Sequence, residues 1–406
     1  MSLERTKISS YCDWIIFFSL CGIAYFLPIS KAIIESLSGL AILMYLIKKI
    51  SNRSLPEVNS IALALLVYLA VCLLSVFLSS NFKISIRAFI SKTVQNALLF
   101  FIVSETLNTK KRSKIVISIF MLSALLLGID GIYQHFTHKD FIRNRPDFVL
   151  PRIYATFSSP GDFGCYLVTL IPFTLANLFV KTKKWFRAIP FVALFALLFT
   201  CTLLTVSRGA WIAFIGSVLF MSIWLRWLAL FLIFIGLVIV ILHPYLNQYI
   251  KFRLSSFFVF LDHSSLDRMR IWETSWRMFT SNPLLGVGLG TFMFNFTRFS
   301  GPDYGYIAYA HNCYMQIAAE TGIFGLLSFL AVIILFFYHG IVALNSHARS
   351  FLWHMLLASL TAVLAYCIHI MVDTGLYALD LSMLFWFMLG LGVALINQVK
   401  QEAAPA

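Results

Sequence analysis

Three residues stand out, in a chain that is 60% hydrophobic, as groups that could manage charge and protons. Arg208 follows the run FVALFALLFTCTLLTVS and sits between Ser207 and Gly209, with Trp211 close by. Arg268 lies near the start of a stretch that reads as a helix from Leu266 to Asn282. His311 opens an AHN stretch just ahead of another apolar run. Each has a plain reading beside a chemical one. Arg208 is a snorkelling anchor, or, because a tight Ser-Arg-Gly turn limits its reach, a functional membrane charge. Arg268 is an interfacial anchor paired with Asp267 or Glu273, or an anion ligand near the free N–H groups of a helix start. His311 is a hydrogen-bonded interface residue, or a base that titrates near neutral pH. On one membrane face, two arginines and a histidine suit one chemistry. Arginine grips phosphate oxygens bidentately and stays charged. The pair could hold a lipid diphosphate and stabilise it as it leaves, while the histidine orients or deprotonates an attacking hydroxyl.

The rest of the chain must position these groups, and its composition says where. Of 406 residues, 60% are hydrophobic and 12% charged, against roughly 25% charged in a soluble domain. The expected class is an all-α polytopic integral membrane protein, with residues 1–406 as a single membrane domain. Twelve candidate spans lie at about 12–28, 31–47, 60–78, 88–104, 115–133, 161–180, 188–206, 209–225, 227–243, 315–338, 351–372 and 380–397. Basic clusters recur after every second span: Arg5 and Lys7, then Lys48, Lys49 and Arg53, then Lys110 to Lys114, then Lys181 to Arg187. That side is read as cytoplasmic, and both termini with it. The net charge of +14 is then largely a matter of orientation, and no nucleic acid is implied. The seven cysteines sit mostly in apolar runs without CxxC or Cys/His spacing, so they read as core residues, with no disulfide framework and no zinc site.

The outer side collects the irregular segments. A long loop inserts at about 244–314, between the ninth and tenth spans, and is expected to contain amphipathic helices. In it Met269, Trp272, Trp276 and Phe279 share one face of the Leu266–Asn282 helix, which suggests a helix lying on the membrane or closing over the bundle. Ser264 and Asp267 have capping-box spacing. Residues 79–92 read as a separate amphipathic helix at the outer interface, with Lys83 and Arg87 on it. Residues 134–160 carry three prolines and read as irregular. The GVGLG run at Gly286–Gly290 follows a proline break with no strand before it, so it reads as a turn or a close backbone contact rather than a nucleotide site. A transporter would place ionisable residues near the midplane. Here Asp130, Asp162, Asp373, Asp380 and His369 fall toward the outer ends, with Lys92 the doubtful case.

Three motifs in order resemble the O-antigen ligase and O-antigen polymerase family: TVSRGAW at Thr205–Trp211, DRMRIWETSWRMFTSNPLLGVGLGTF at Asp267–Phe292, and AHNCYMQIAAETGIFGLL at Ala310–Leu327. RIYATFSSPGDFG resembles the segment ahead of the family's middle spans. The resemblance implies a GT-C-like membrane glycosyltransferase at the periplasmic face of the inner membrane. It implies a glycan donor on undecaprenyl diphosphate and, for a ligase, a sugar hydroxyl of lipid A–core as acceptor. The polymerase would instead extend a lipid-linked glycan. The family's essential arginines fall on Arg208 and Arg268, the latter four residues before Trp272, and its essential histidine falls on His311 with Asn312 beside it. Arg270 becomes the less favoured partner. Arg152 and Arg277 are further candidates for diphosphate or glycan contacts. No metal or other cofactor is expected, because the arginines take the role of a cation.

Overall fold

The computed structural model describes residues 2–146, 152–180, 185–226, 263–301 and 307–402. The expected ninth span, the loop segment 244–262 and the link 302–306 lie outside the described residues. Helices α1 (Ser2–Phe26), α2 (Lys31–Asn52), α3 (Ser60–Phe77), α4 (Phe82–Ala88), α5 (Gln95–Thr106), α6 (Lys110–Thr137), α7 (Pro160–Phe179), α8 (Ile189–Leu204) and α9 (Arg208–Ser222) precede the loop. The loop contributes α10 (His263–Ser281) and α11 (Phe292–Ser300), and α12 (Cys313–Ser346), α13 (Phe351–His369) and α14 (Leu379–Glu402) complete the bundle.

Among the described residues, nine helices are long and apolar enough to cross a membrane. The chain is an all-α multi-pass membrane protein. Two further expected spans, α2 and α9, are helical but fall outside those nine: α2 carries Lys31, Glu35, Lys48 and Lys49, and α9 has only 15 residues. The segment 79–92 corrects the expectation of a separate interfacial helix. Asn81 caps it by accepting from Ile84 N–H at 3.2 Å, and no breaker follows. It therefore runs from Phe82 through a π-helical turn at Phe89–Val94 straight into the span that ends at Thr106.

The innermost helices are α7, α13 and α14, buried along most of their length. Around them the bundle has two polar ends. At one, Lys48 pairs with Asp13 and Lys49 with Glu105, both at 2.6 Å, and Lys110 with Glu402 at 3.2 Å. At the other end α8 and α13 finish, and α7, α9, α12 and α14 begin. Three of those starts are fixed by short polar caps: Ser159 accepts from Asp162 N–H (3.1 Å), Ser207 from Ala210 N–H (3.4 Å) and Asn312 from Tyr314 N–H (3.0 Å). Each such cap is worth about 0.5–2 kcal/mol.

The loop has its own small core of Ile271 and Met278 from α10, Val287, and Phe292 and Phe296 from α11, closed by Ala308, Ala310 and Ala319. The GVGLG turn presses against α12 where that helix breaks at Gly322, whose φ is +68°. Val287 and Gly288 donate to the carbonyls of Ala319 and Glu320 at 3.0 Å, and Ile323 donates back to Pro283 at 2.8 Å. The break leaves backbone groups without helical partners, and the turn supplies them. Inside the turn the Glu320 carboxylate accepts from the N–H groups of Gly290 (2.8 Å) and Phe292 (3.2 Å) and from Tyr377 Oη (3.1 Å). The run is thus a close backbone contact, as its sequence suggests.

Candidate functional site

Arg208 is the first residue of α9, at the corner left by the end of α8. That corner is strained. Val206 has φ +50°, a left-handed conformation that β-branched residues seldom adopt. Trp211 Nε1 donates to Thr202 carbonyl at 3.1 Å, tying the new helix back to the old one. Gly209 lets the corner approach α13: a Cβ there would lie 2.7 Å from Val372 Cγ2 and 3.6 Å from His369 Nε2. Arg152 reaches the same corner, its Nε donating to Thr205 carbonyl at 2.9 Å.

His311 also has positive φ, +48°. Asn312 explains this in part. Its Oδ1 accepts from Tyr314 and Met315 N–H (3.0 and 3.1 Å), which fixes the start of α12 and leaves His311 to make the turn into it. Burial holds the His311 imidazole below its ordinary pKa; Asp373 opposes that shift and Arg268 reinforces it. Asp373 follows the end of α13 and accepts from Thr374 N–H at 2.8 Å. Its other carboxylate oxygen lies over the start of α7, where a Cβ on Gly161 would meet it at 2.5 Å. A carboxylate there is favoured by the positive end of the helix dipole.

These pieces surround one cavity of about 190 Å³, lined by Arg152, Arg208, Arg268, His311, His369 and Asp373 among others. Four of the residues singled out in the sequence therefore meet in space, from segments up to 159 residues apart in the chain (152 to 311). The field is strongly positive: three guanidinium groups and the N-terminal ends of α7 and α9 face one carboxylate. A cation at the start of a helix opposes the dipole, and the Asp373 carboxylate in the same cavity offsets part of that charge.

The other candidates lie elsewhere. Asn312 is committed to its cap and does not line the cavity. Arg270 is exposed on α10 and outside the cavity. Arg277 pairs with Glu273 at 2.6 Å on an exposed face, nine residues or about 14 Å along the helix from Arg268. Trp272 is only partly buried and does not line the cavity, and its indole N–H is buried with no acceptor among the described residues. The aromatic face of α10 is not the one that packs. Ile271, Thr274, Ser275 and Met278 are buried instead, while Met269 and Trp276 are 57% and 59% exposed. Thr274 and Ser275 satisfy their hydroxyls on carbonyls of their own helix (3.1 and 2.8 Å), which lets them be buried beside Ile271 and Met278. The helix also begins three residues earlier than expected, at His263, which puts Arg268 in its second turn; the side chain of Ser264 lies outside the described residues.

Two lining residues had been placed at the outer end without a role. His369 is 1% exposed, and both its ring nitrogens are without partners among the described residues. Asp373 lies four positions on, where one extra turn folds it back toward the cavity. The signal available in sequence was a His and an Asp, four apart, at the end of an apolar run.

A family model described as O-antigen ligase matches residues 193–330, and no curated protein matches the chain. The matched stretch contains Arg208, Arg268 and His311 and leaves Arg152, His369 and Asp373 outside it. Across residues 193–330, which hold the corner of α8 and α9, the loop helices and the start of α12, this chain is similar to the O-antigen ligase family.

Proposed function

We propose that the protein is a ligase that transfers a polysaccharide from undecaprenyl diphosphate to a sugar hydroxyl of lipid A–core. Within the family, polymerases act on the same donor class. The observation that carries the reading is the convergence of Arg152, Arg208 and Arg268 with His311 in one cavity at the end of the bundle opposite the basic clusters. By the positive-inside rule that end faces away from the cytoplasm and the termini face it; the resemblance to the family implies that the membrane is the inner one and the far side the periplasm. A GT-C-like arrangement accords with a site built from span ends and an outer loop.

In this reading the diphosphate lies among the three guanidinium groups. The acceptor hydroxyl gives its proton to neutral His311, and its oxygen forms a bond to the anomeric carbon. The bond from that carbon to the diphosphate oxygen breaks, and its electron pair leaves with the diphosphate. The charge that grows on the leaving oxygen is met by preorganised donors. Asp373 then stabilises the imidazolium. No divalent metal is needed in this scheme, because the arginines take its place.

The deciding experiment removes the gene from a cell that makes long surface polysaccharide. A ligase leaves long glycan on undecaprenyl diphosphate beside bare lipid A–core. Lipid A–core capped with one repeat unit would make the protein a polymerase, and unchanged glycans would end the proposal.

A further inference from the structure

A second, larger cavity of about 490 Å³ lies beside the first. The same two segments line both. Tyr309 faces the larger and His311 the smaller; Leu376 and Tyr377 face the larger, Val372 and Asp373 the smaller. Much of the larger wall is apolar, with Tyr68, Phe329 and Trp386 from three different spans. Arg87 and Lys92 also line it, both exposed and without an ion pair among the described residues. Arg87 lies just before the π-helical turn Phe89–Val94 and Lys92 within it, a feature that often marks functional sites, and the two lie five positions, about 7 Å, apart along the axis. Deeper along the same run, Asn96 is 4% exposed; its Nδ2 donates to Ser382 at 2.8 Å, but its Oδ1 is buried with no donor among the described residues.

We propose that this cavity seats the lipid end of the acceptor, a phosphate-bearing glycolipid whose sugar hydroxyl reaches His311 across the shared wall. The inference rests on the donor reading above and extends it. The donor's diphosphate is already met by three arginines in the smaller cavity. A second pair of cations, beside a separate apolar cavity, calls for a second anionic headgroup with its own hydrocarbon. Arg87 and Lys92 answer the lipid's phosphate, the aromatic wall takes its chains, and Asn96 Oδ1 accepts from a hydroxyl or amide of the lipid.

The test uses the full-length protein in nanodiscs, with purified lipid A–core as probe. Arg87→Ala/Lys92→Ala should raise the acceptor KM about tenfold or more, as expected for loss of charge-assisted phosphate contacts, and leave donor KM and kcat within about twofold. Ser91→Trp, which narrows the cavity without removing either cation, should do the same. Binding of lipid A–core alone, followed by native mass spectrometry, should weaken in both variants and stay intact in Arg208→Ala. That arm involves no donor, so it stands or falls independently of the donor assignment. A rise in donor KM instead would give the cavity to the prenyl chain and overturn the proposal. Equal binding of phosphatidylglycerol and lipid A–core would reduce the cavity to a general lipid groove, and unchanged binding in both variants would place the acceptor elsewhere.

Discussion

Replacing Gly286 with alanine should disable the enzyme without unfolding its bundle. Gly286 has φ +69°, and a Cβ there would lie 2.2 Å from the carbonyl carbon of Glu320 and 2.5 Å from Thr321 N. Neither atom can swing away, so the turn must lift off α12. At stake are the bonds that join them: Val287 to Ala319 and Gly288 to Glu320 at 3.0 Å, Ile323 to Pro283 at 2.8 Å, and Phe324 to Leu284 at 3.4 Å. At about 0.5–1.5 kcal/mol each, about 2–6 kcal/mol of docking is exposed to loss. A left-handed alanine adds about 1–2 kcal/mol of strain. The apolar spans have their own core and, apart from the break in α12, make no use of this contact, but α10, which carries Arg268, does. Hydrogen exchange should therefore show α10, α11 and residues 322–324 deprotected while α7, α13 and α14 keep their protection. Transfer should fall at least about 10²-fold, as for loss of one preorganised charge-stabilising donor. Gly322→Ala, whose Cβ would lie 2.2 Å from the Leu284 carbonyl carbon, should behave alike. Full activity with native protection in Gly286→Ala would refute the view that this turn positions the arginine.

Arg208→Ala and Arg268→Ala should each lose at least about 10²-fold in turnover, with lysine rescuing poorly because it lacks the planar fork; near-normal turnover in both alanine variants would remove the diphosphate assignment. Arg270→Ala and Arg277→Ala, measured beside them at matched expression, should stay within about threefold, since surface changes away from a site seldom matter. His311 should act as a base in its neutral form, and burial holds its pKa below the ordinary value. Its active form then persists to lower pH than for a free imidazole, so kcat/KM should be flat through neutrality and fall only below about pH 6.5; an acid limb centred above that value would contradict the assignment. Activity should survive excess EDTA, and loss on chelation that one divalent metal restores would reveal a metal requirement.

What the sequence determined by itself is the part governed by local physics. Apolar runs of span length give helices wherever they occur, because a chain in hydrocarbon has no other way to satisfy its backbone. Ser159, Ser207 and Asn312 mark helix starts because their side chains accept from the first free N–H groups. Arg208, Arg268 and His311 stood out because charge is scarce in such a chain, and the family motifs around them could be read without coordinates. Tertiary structure decided what depends on contacts between distant segments. The periodicity of α10 suggested a helix lying on the membrane or closing over the bundle; the packing shows that Ile271, Thr274, Ser275 and Met278 are the face buried in the protein, while Met269 and Trp276 stay exposed. Lys83 and Arg87 on an amphipathic 79–92 suggested a separate interfacial helix, but nothing in 88–95 stops it. His369 and Asp373 carried no role until the end of α13 met the starts of α7 and α9. Residue type names the charges; only the packing of span ends against the loop helix α10 shows which of them share a cavity.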